Sequence, residues 1–297
     1  MTVSLRTRIL RKLVALQMSG WSRGSIEAQR ARQERTTKYV RLPADIHCRP
    51  VSVAGIAAEW IEAPGADSGV LLHLHGGAFA LGSINVSREW VARLARATRT
   101  RALIIDYRLA PEHPYPAALD DATAAYLWLL QEGVEPSGII LAGGSAGGGL
   151  ALSTLVRLRD TGHPFPAGAV FMSPWMDLAL TGDSIQEKAQ ADPILAASDL
   201  DTYAGYYAGK VKRTEPLLSP LYADLRGLPP LLIQVGSEEI LLDDAVRCAG
   251  KARAAGVDVT LEIWDGMFHV FQMFPFLSET RRALESIAAF VSRRLVR

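Results

Sequence analysis

From residue 70 onward, short apolar runs alternate with stretches whose apolar positions recur every three or four residues. The runs Val70–His75, Ala102–Asp106, Gly138–Ala142, Gly168–Ser173, Pro230–Gly236 and Val257–Trp264 read as strands. Between them, Val86–Ala97, Ala117–Gln131, Ser145–Asp160, Leu241–Ala255 and Glu279–Val296 carry a helical period. Strand–helix alternation of this kind predicts a mostly parallel sheet covered by helices on both faces. Upstream, Ile46–Val53 and Ile56–Ile61 straddle Gly55 and read as a hairpin or its near equivalent. Two segments stand outside the alternation. In the first forty-odd residues Leu5, Ile9, Leu13 and Leu16 can share one helical face, flanked by Val14 and Met18. The stretch Thr181–Tyr207 has no convincing strand and reads as a helical insertion above the sheet.

Composition narrows the class without changing this outline. A chain of 297 residues accommodates one large α/β domain with an added cap. A formal charge of +1 creates no overall field for nucleic acid or an anionic membrane. The arginines are scattered through helical stretches and read as a solvated face. Cys48 and Cys248 have neither metal-ligand nor redox spacing and read as two plain thiols. The early apolar run Leu13–Leu16 is too short for a signal-peptide core, and no apolar stretch is long enough to span a bilayer. The expectation is a cytoplasmic protein with no stable membrane insertion and no nucleic-acid partner.

In open α/β sheets the reactive edge lies at the carboxyl ends of the strands. Gly143-Gly144-Ser145-Ala146-Gly147-Gly148 follows a strand, opens a helix and satisfies G-x-S-x-G, the tight turn that projects a serine hydroxyl. Small residues two positions before and after the serine avoid collision with neighbouring elements. The turn lacks the Lys-Ser or Lys-Thr pair of a phosphate loop and the spacing of a dinucleotide fingerprint. At the end of an earlier strand, His75-Gly76-Gly77-Ala78 supplies backbone N–H groups suited to a developing oxyanion. After the last strand, Trp264-Asp265-Gly266-Met267-Phe268-His269 presents His269 as the base. His163 lies about 20 Å from Ser145 along the intervening helix. His113 sits in a proline-rich loop, and His75 leads the oxyanion loop; both read as structural. For the acid, Glu239, Glu238, Asp243, Asp244 and Asp177 all follow strands, although acids in a first helical turn also serve the helix dipole.

Taken together, these residues resemble the hormone-sensitive-lipase family of bacterial esterases, often called family IV. The resemblance spans nearly the whole chain. It rests on His75-Gly76-Gly77, Tyr107-Arg108-Leu109-Ala110-Pro111-Glu112-His113, Pro116-Ala117 with Asp120-Asp121, the Gly143 to Gly148 turn, Ser173-Pro174-Trp175 and Asp265-Gly266-Met267-x-His269. It implies an α/β-hydrolase fold with an eight-stranded, mostly parallel sheet and a helical cap. The cap would comprise residues 1–45 and an insertion at 181–207, on a catalytic domain of residues 46–297. It further implies a Ser145, Glu239, His269 triad, with oxyanion donors Gly77, Ala78 and Ala146 and with Gly76 positioning the loop.

Three departures from the family pattern stand out. Gly144 occupies a usual aspartate position, Ala78 replaces the third glycine of the oxyanion loop, and Glu239 replaces the usual acid aspartate. The expected activity is hydrolysis of short- to medium-chain carboxylic esters through an acyl-enzyme, with no metal or organic cofactor. The expected partner is a small-molecule ester, with a homodimer left open. A ligand-binding relative with a degraded triad would lack the histidine, which is present here as His269. Amide and lactone substrates, and a lipase associated with membranes through the basic N-terminus, remain alternatives.

Overall fold

The computed structural model describes residues 11, 13–15 and 23–295. Eight strands form one sheet: β1 (His47–Val53), β2 (Ile56–Glu62), β3 (Val70–Leu74), β4 (Arg101–Ile105), β5 (Ile139–Gly144), β6 (Gly168–Met172), β7 (Leu231–Gly236) and β8 (Val259–Trp264). Their spatial order is β1-β2-β4-β3-β5-β6-β7-β8. β2 pairs antiparallel with β1 and β4, and every other pairing is parallel. The Ile46–Ile61 region is therefore the expected hairpin.

Helices described outside the sheet are α1 (Ile26–Thr37), α2 (Ile84–Thr98), α3 (Ala117–Gln131), α4 (Ala146–Asp160), α5 (Ser184–Glu187), α6 (Ala197–Ala208), α7 (Leu242–Ala254) and α8 (Ser278–Arg294). Both faces of the central strands are buried, which explains their continuous apolar character. Leu72, Leu103, Leu141 and Phe171 pack toward α3, α4 and α7, whereas Leu71, Ile104, Ile140 and Val170 pack toward α2 and α8. α2 begins two residues before the predicted start. Ser83 caps it through the Val86 N–H, and the Asp106 carboxylate accepts the Ile84 N–H at 2.7 Å, a contact from another strand end.

The insertion contains α5 and α6 and no strand, as its sequence implies. The N-terminal stripe requires correction. Leu13 is 58% exposed, while Val14 is buried among Met267, Phe268, Phe271 and Leu277 beside the loop that follows β8. Neighbouring helical positions differ by about 100°, so the buried face runs through Val14, which the hydrophobic pattern had placed on its flank. Leu5, Ile9, Leu16 and Met18 lie outside the described residues. Among the described residues, no helix is long and apolar enough to cross a membrane. Cys48 and Cys248 are free thiols.

The site is positioned by one feature of this topology. From β3 the chain passes to β4 on one side and then returns to β5 on the other. A crevice opens at such a switch point, beyond the carboxyl ends of the strands. The loop after β3 and the turn after β5 face each other across it.

Candidate active site

Ser145 sits between the end of β5 and the start of α4 with φ 54° and ψ −126°. This conformation is sparsely populated for a residue with a β-carbon and costs on the order of 1–3 kcal/mol. Surrounding hydrogen bonds hold it. The Ser145 N–H donates to Met172 O at 2.9 Å, and Ser145 O accepts from Trp175 N–H at 3.0 Å and Gly148 N–H at 2.9 Å. Glycines make the approach possible. A β-carbon at Gly147 would strike the carbonyl oxygens of Leu74 and His75, and one at Gly143 would strike the backbone of Gly147. The positive end of α4 is thereby brought against the end of β3.

His269 reaches this serine from the loop after β8. Its Nε2 lies 3.0 Å from Ser145 Oγ, and its Nδ1 lies 2.8 Å from Glu239 Oε2. Glu239, in the turn between β7 and α7, is fully buried. Its other oxygen, Oε1, accepts the Ser173 hydroxyl at 2.8 Å and the Gly236 N–H at 2.6 Å. Three donors thus solvate a carboxylate that has lost water. With Nδ1–H donating to Glu239, Nε2 is left as the acceptor for the serine hydroxyl.

The other acids have different partners. Asp177 is also fully buried, but its carboxylate accepts from Ala179 N–H, Thr181 N–H and hydroxyl, Tyr222 hydroxyl and Arg247. Glu238 faces Arg11 at 3.6 Å and Lys188 at 3.9 Å. Asp243 accepts the Ser184 N–H, while Asp244 accepts the N–H groups of Met176 and Asp177. Burial pushes the Asp244 carboxyl up to about 8. Both do occupy the first turn of α7, as the dipole argument anticipates, yet their partners lie in the 176–184 segment.

The loop after β3 is strained as well. Ala78 and Phe79 have φ of 54° and 61°, left-handed values that cost roughly 1–2 kcal/mol each for residues with a β-carbon. Gly77 O accepts from Ala80 N–H at 3.0 Å and Leu81 N–H at 2.7 Å, closing the turn. The Phe79 ring stacks on Tyr207 at 3.9 Å, which pins α6 over the loop. Gly76 lies close to the serine turn: a β-carbon there would stand 3.0 Å from Gly144 O and 3.3 Å from Ser145 Cβ. Among the described residues, the N–H groups of Gly77, Ala78 and Ala146 donate to no protein acceptor. His75 stacks on Tyr107 at 4.1 Å and its Nδ1 lies 2.8 Å from Gly76 O. Burial pushes its imidazole down to about 4, so it stays neutral and holds the loop. His113 and His163 are exposed, the latter just beyond the far end of α4.

Two contributors escaped the sequence reading of roles. The Ser173 hydroxyl joins the Glu239 carboxylate to the Val270 N–H, next to His269. Its signal was its place at the end of the strand beside β7. Asp192 accepts Ile194 and Leu195 N–H through one oxygen and Ile240 N–H through the other, tying the insertion to the residue after Glu239. Burial pushes this carboxyl above its ordinary range, and nothing in its local sequence marked it.

Residues 71–273 match a family described as having the alpha/beta hydrolase fold. An acetyl-hydrolase of Streptomyces hygroscopicus is 46% identical over 250 residues, covering 84% of this chain and 82% of that protein. A crystal structure of an esterase from the bacterial hormone-sensitive lipase family superposes with a TM-score of 0.95 at 43% identity, covering 100% of both chains. A crystal structure of EstE5 soaked with p-nitrophenyl butyrate superposes with a TM-score of 0.94 at 41% identity, covering 99% of each chain.

The contrast between the buried acids is testable. Asp177→Asn weakens a buried, multiply hydrogen-bonded carboxylate and its contact with the partly exposed Arg247, and is expected to cost about 1–3 kcal/mol in urea unfolding. Its turnover at 25 °C should remain within a fewfold of wild type. Unchanged stability together with a large loss of turnover would reverse the assignment of Asp177 to structure.

Proposed function

Because the chain belongs to the hormone-sensitive-lipase family of α/β hydrolases, we propose that this serine carboxylesterase cleaves short- to medium-chain acyl esters through Ser145, His269 and Glu239. The observation that carries the reading is the unbroken hydrogen-bonded chain from Ser145 Oγ through both nitrogens of His269 to Glu239. Its serine lies at the switch point of the sheet, beside backbone N–H groups that have no protein acceptor among the described residues.

The chemistry follows from the geometry. Ser145 Oγ attacks the ester carbonyl carbon as His269 Nε2 takes the hydroxyl proton. The carbonyl π electrons move onto oxygen, where the N–H groups of Gly77, Ala78 and Ala146 hold the new charge, with Gly76 positioning their loop. Glu239 fixes the tautomer of His269 and stabilises the imidazolium that forms. Collapse of the intermediate breaks the bond to the alcohol oxygen, which takes its proton from His269. Water then attacks the acyl-serine by the same route and releases the carboxylic acid. The strained serine backbone keeps Oγ aimed at the crevice throughout.

We read residues 1–45 and 181–207 as two parts of a helical cap over the catalytic domain. The Tyr203 hydroxyl of α6 donates to Gln29 Oε1 of α1 at 2.5 Å, so the two parts touch. The rings of Trp175 and Tyr207 pack on Phe79 of the oxyanion loop, and this aromatic cluster beside the loop suits a short acyl chain. A relative named acetyl-hydrolase and a similar esterase soaked with a butyrate ester agree with that preference.

Three measurements test this reading. Ser145→Ala should remain folded and lose on the order of 10^6 in turnover; a purified variant with more than a few per cent of the wild-type rate would exclude it as nucleophile. Glu239→Gln should lose about 10^4, as an orienting carboxylate does in related triads. Glu238→Gln should stay near wild type, and equal losses in the two variants would contradict the assignment. Across p-nitrophenyl esters, rates should peak at about C4 to C8, as expected of a closed pocket. Emulsified long-chain triglyceride should give no jump in rate at its solubility limit; strong activity there would point to a lipase.

A further inference from the structure

The oxyanion loop is held in its left-handed conformation by more than its own turn. α1 buries Ile26 in the core cluster that also holds Ala78, Phe79 and Ala80, and it reaches the loop with polar side chains as well. Arg30 Nε donates to Ala80 O at 2.9 Å, and its Nη2 donates to Ala110 O at 2.8 Å. Ala110 is itself bonded to the loop, its N–H donating to Phe79 O at 2.9 Å. The same guanidinium makes a two-point contact with Glu112, both distances 2.8 Å. One turn further along, Gln33 Oε1 accepts the Gly82 N–H at 3.0 Å, and Glu34 accepts the Ser83 hydroxyl at 2.5 Å. Beside these contacts is a cavity of about 300 Å3, lined by Arg30, Gln33, Glu34, His75, Tyr107 and Leu109 among others. The loop's apolar side chains pack in the core with Ile26, and the hydrogen bonds of α1 add a polar restraint to that packing.

We propose that Arg30 is a positioning residue for the oxyanion hole: by clamping Ala80 O and Ala110 O together it holds the N–H groups of Gly77 and Ala78 in register with Ser145. A planar guanidinium suits the task because its donors have a fixed angular relation, and Glu112 orients it. Without the clamp, the backbone bonds across the left-handed segment among the described residues are the Gly77 turn and the Phe79 to Ala110 bond. The loop then drifts toward conformations that residues 78 and 79 adopt with less strain. Ground-state binding of the ester is little affected, whereas the developing oxyanion loses aligned donors. The inference rests on the assignment of Gly77 and Ala78 as oxyanion donors.

The test compares wild type with Arg30→Met, Arg30→Lys and Glu112→Gln in the full chain. It measures kcat and KM on p-nitrophenyl acetate and inhibition by an aryl trifluoromethyl ketone, whose serine adduct carries an oxyanion. Arg30→Met should lower kcat by about 10- to 100-fold, in the range of a displaced oxyanion donor. KM should remain within about threefold, and ketone affinity should fall in proportion to kcat/KM. Arg30→Lys keeps the charge but not the two-carbonyl fork and should fall between wild type and Arg30→Met, and Glu112→Gln should show a smaller loss with the same division. Circular dichroism establishes that each variant is folded. If Arg30→Met does not fold, Arg30→Lys and Glu112→Gln are read by the same criteria. A folded variant at position 30 with wild-type kcat overturns the proposal, as does a loss confined to KM with ketone affinity unchanged. Failure of the underlying reading is separate: it appears as activity retained in Ser145→Ala.

Discussion

Helix α4 begins so close to the end of β3 that a β-carbon at residue 147 would strike the carbonyl oxygens of Leu74 and His75. Much of the site depends on that approach. It forces the strand-to-helix turn into one residue, and that residue, Ser145, takes a backbone conformation outside the usual regions. The same approach sets the amide of Ala146 and the positive end of α4 beside the loop that carries Gly77 and Ala78. Strain at Ser145 persists because Met172, Gly148 and Trp175 all bond to its backbone. Moving the serine would break contacts to β6 and α4 at once.

A second constraint is electrostatic. Glu239 and His269 are removed from solvent, and a bare carboxylate there would carry a heavy desolvation cost. The Ser173 hydroxyl and the Gly236 N–H occupy one carboxylate oxygen and leave the other for His269. The carboxylate is thus oriented before any substrate arrives. Asp177, equally buried on the adjoining strand end, has its lone pairs committed to residues 179–181, Tyr222 and Arg247. Two neighbouring buried acids therefore do different work because they are offered different donors.

The segments outside the strand–helix alternation contribute directly to this arrangement. α6 stacks Tyr207 on Phe79, Asp192 ties the insertion to Ile240, and Val14 packs beneath the loop bearing His269. α1 adds its hydrogen bonds to the loop after β3. Such contacts join these segments to the loops that carry Phe79, Glu239 and His269.

The alternation of strands and helices, the serine turn, the glycine loop after β3 and the histidine after β8 are all written in local patterns, each confined to a few residues around a strand end. Their chemistry is legible because a tight turn or a close backbone approach tolerates few side chains, whatever surrounds it. The choice among the acids was different. From residue spacing alone Asp177 and Glu239 were equivalent, and only the family resemblance preferred one. Ser173 and Glu239 are 66 residues apart, and their hydrogen bond exists because β6 and β7 pair in one register. Arg30 lies 50 residues before Ala80, on a helix whose polar surface gives no sign of its target. Val14 was assigned to a flank because hydrophobic periodicity marks a stripe but cannot say which edge of it meets the protein. The sequence by itself determined which backbone turns and side-chain types stand at the reactive edge. Only the tertiary structure decided which buried carboxylate meets the imidazole and which side chains bond the loop after β3, because those depend on groups brought together from distant parts of the chain.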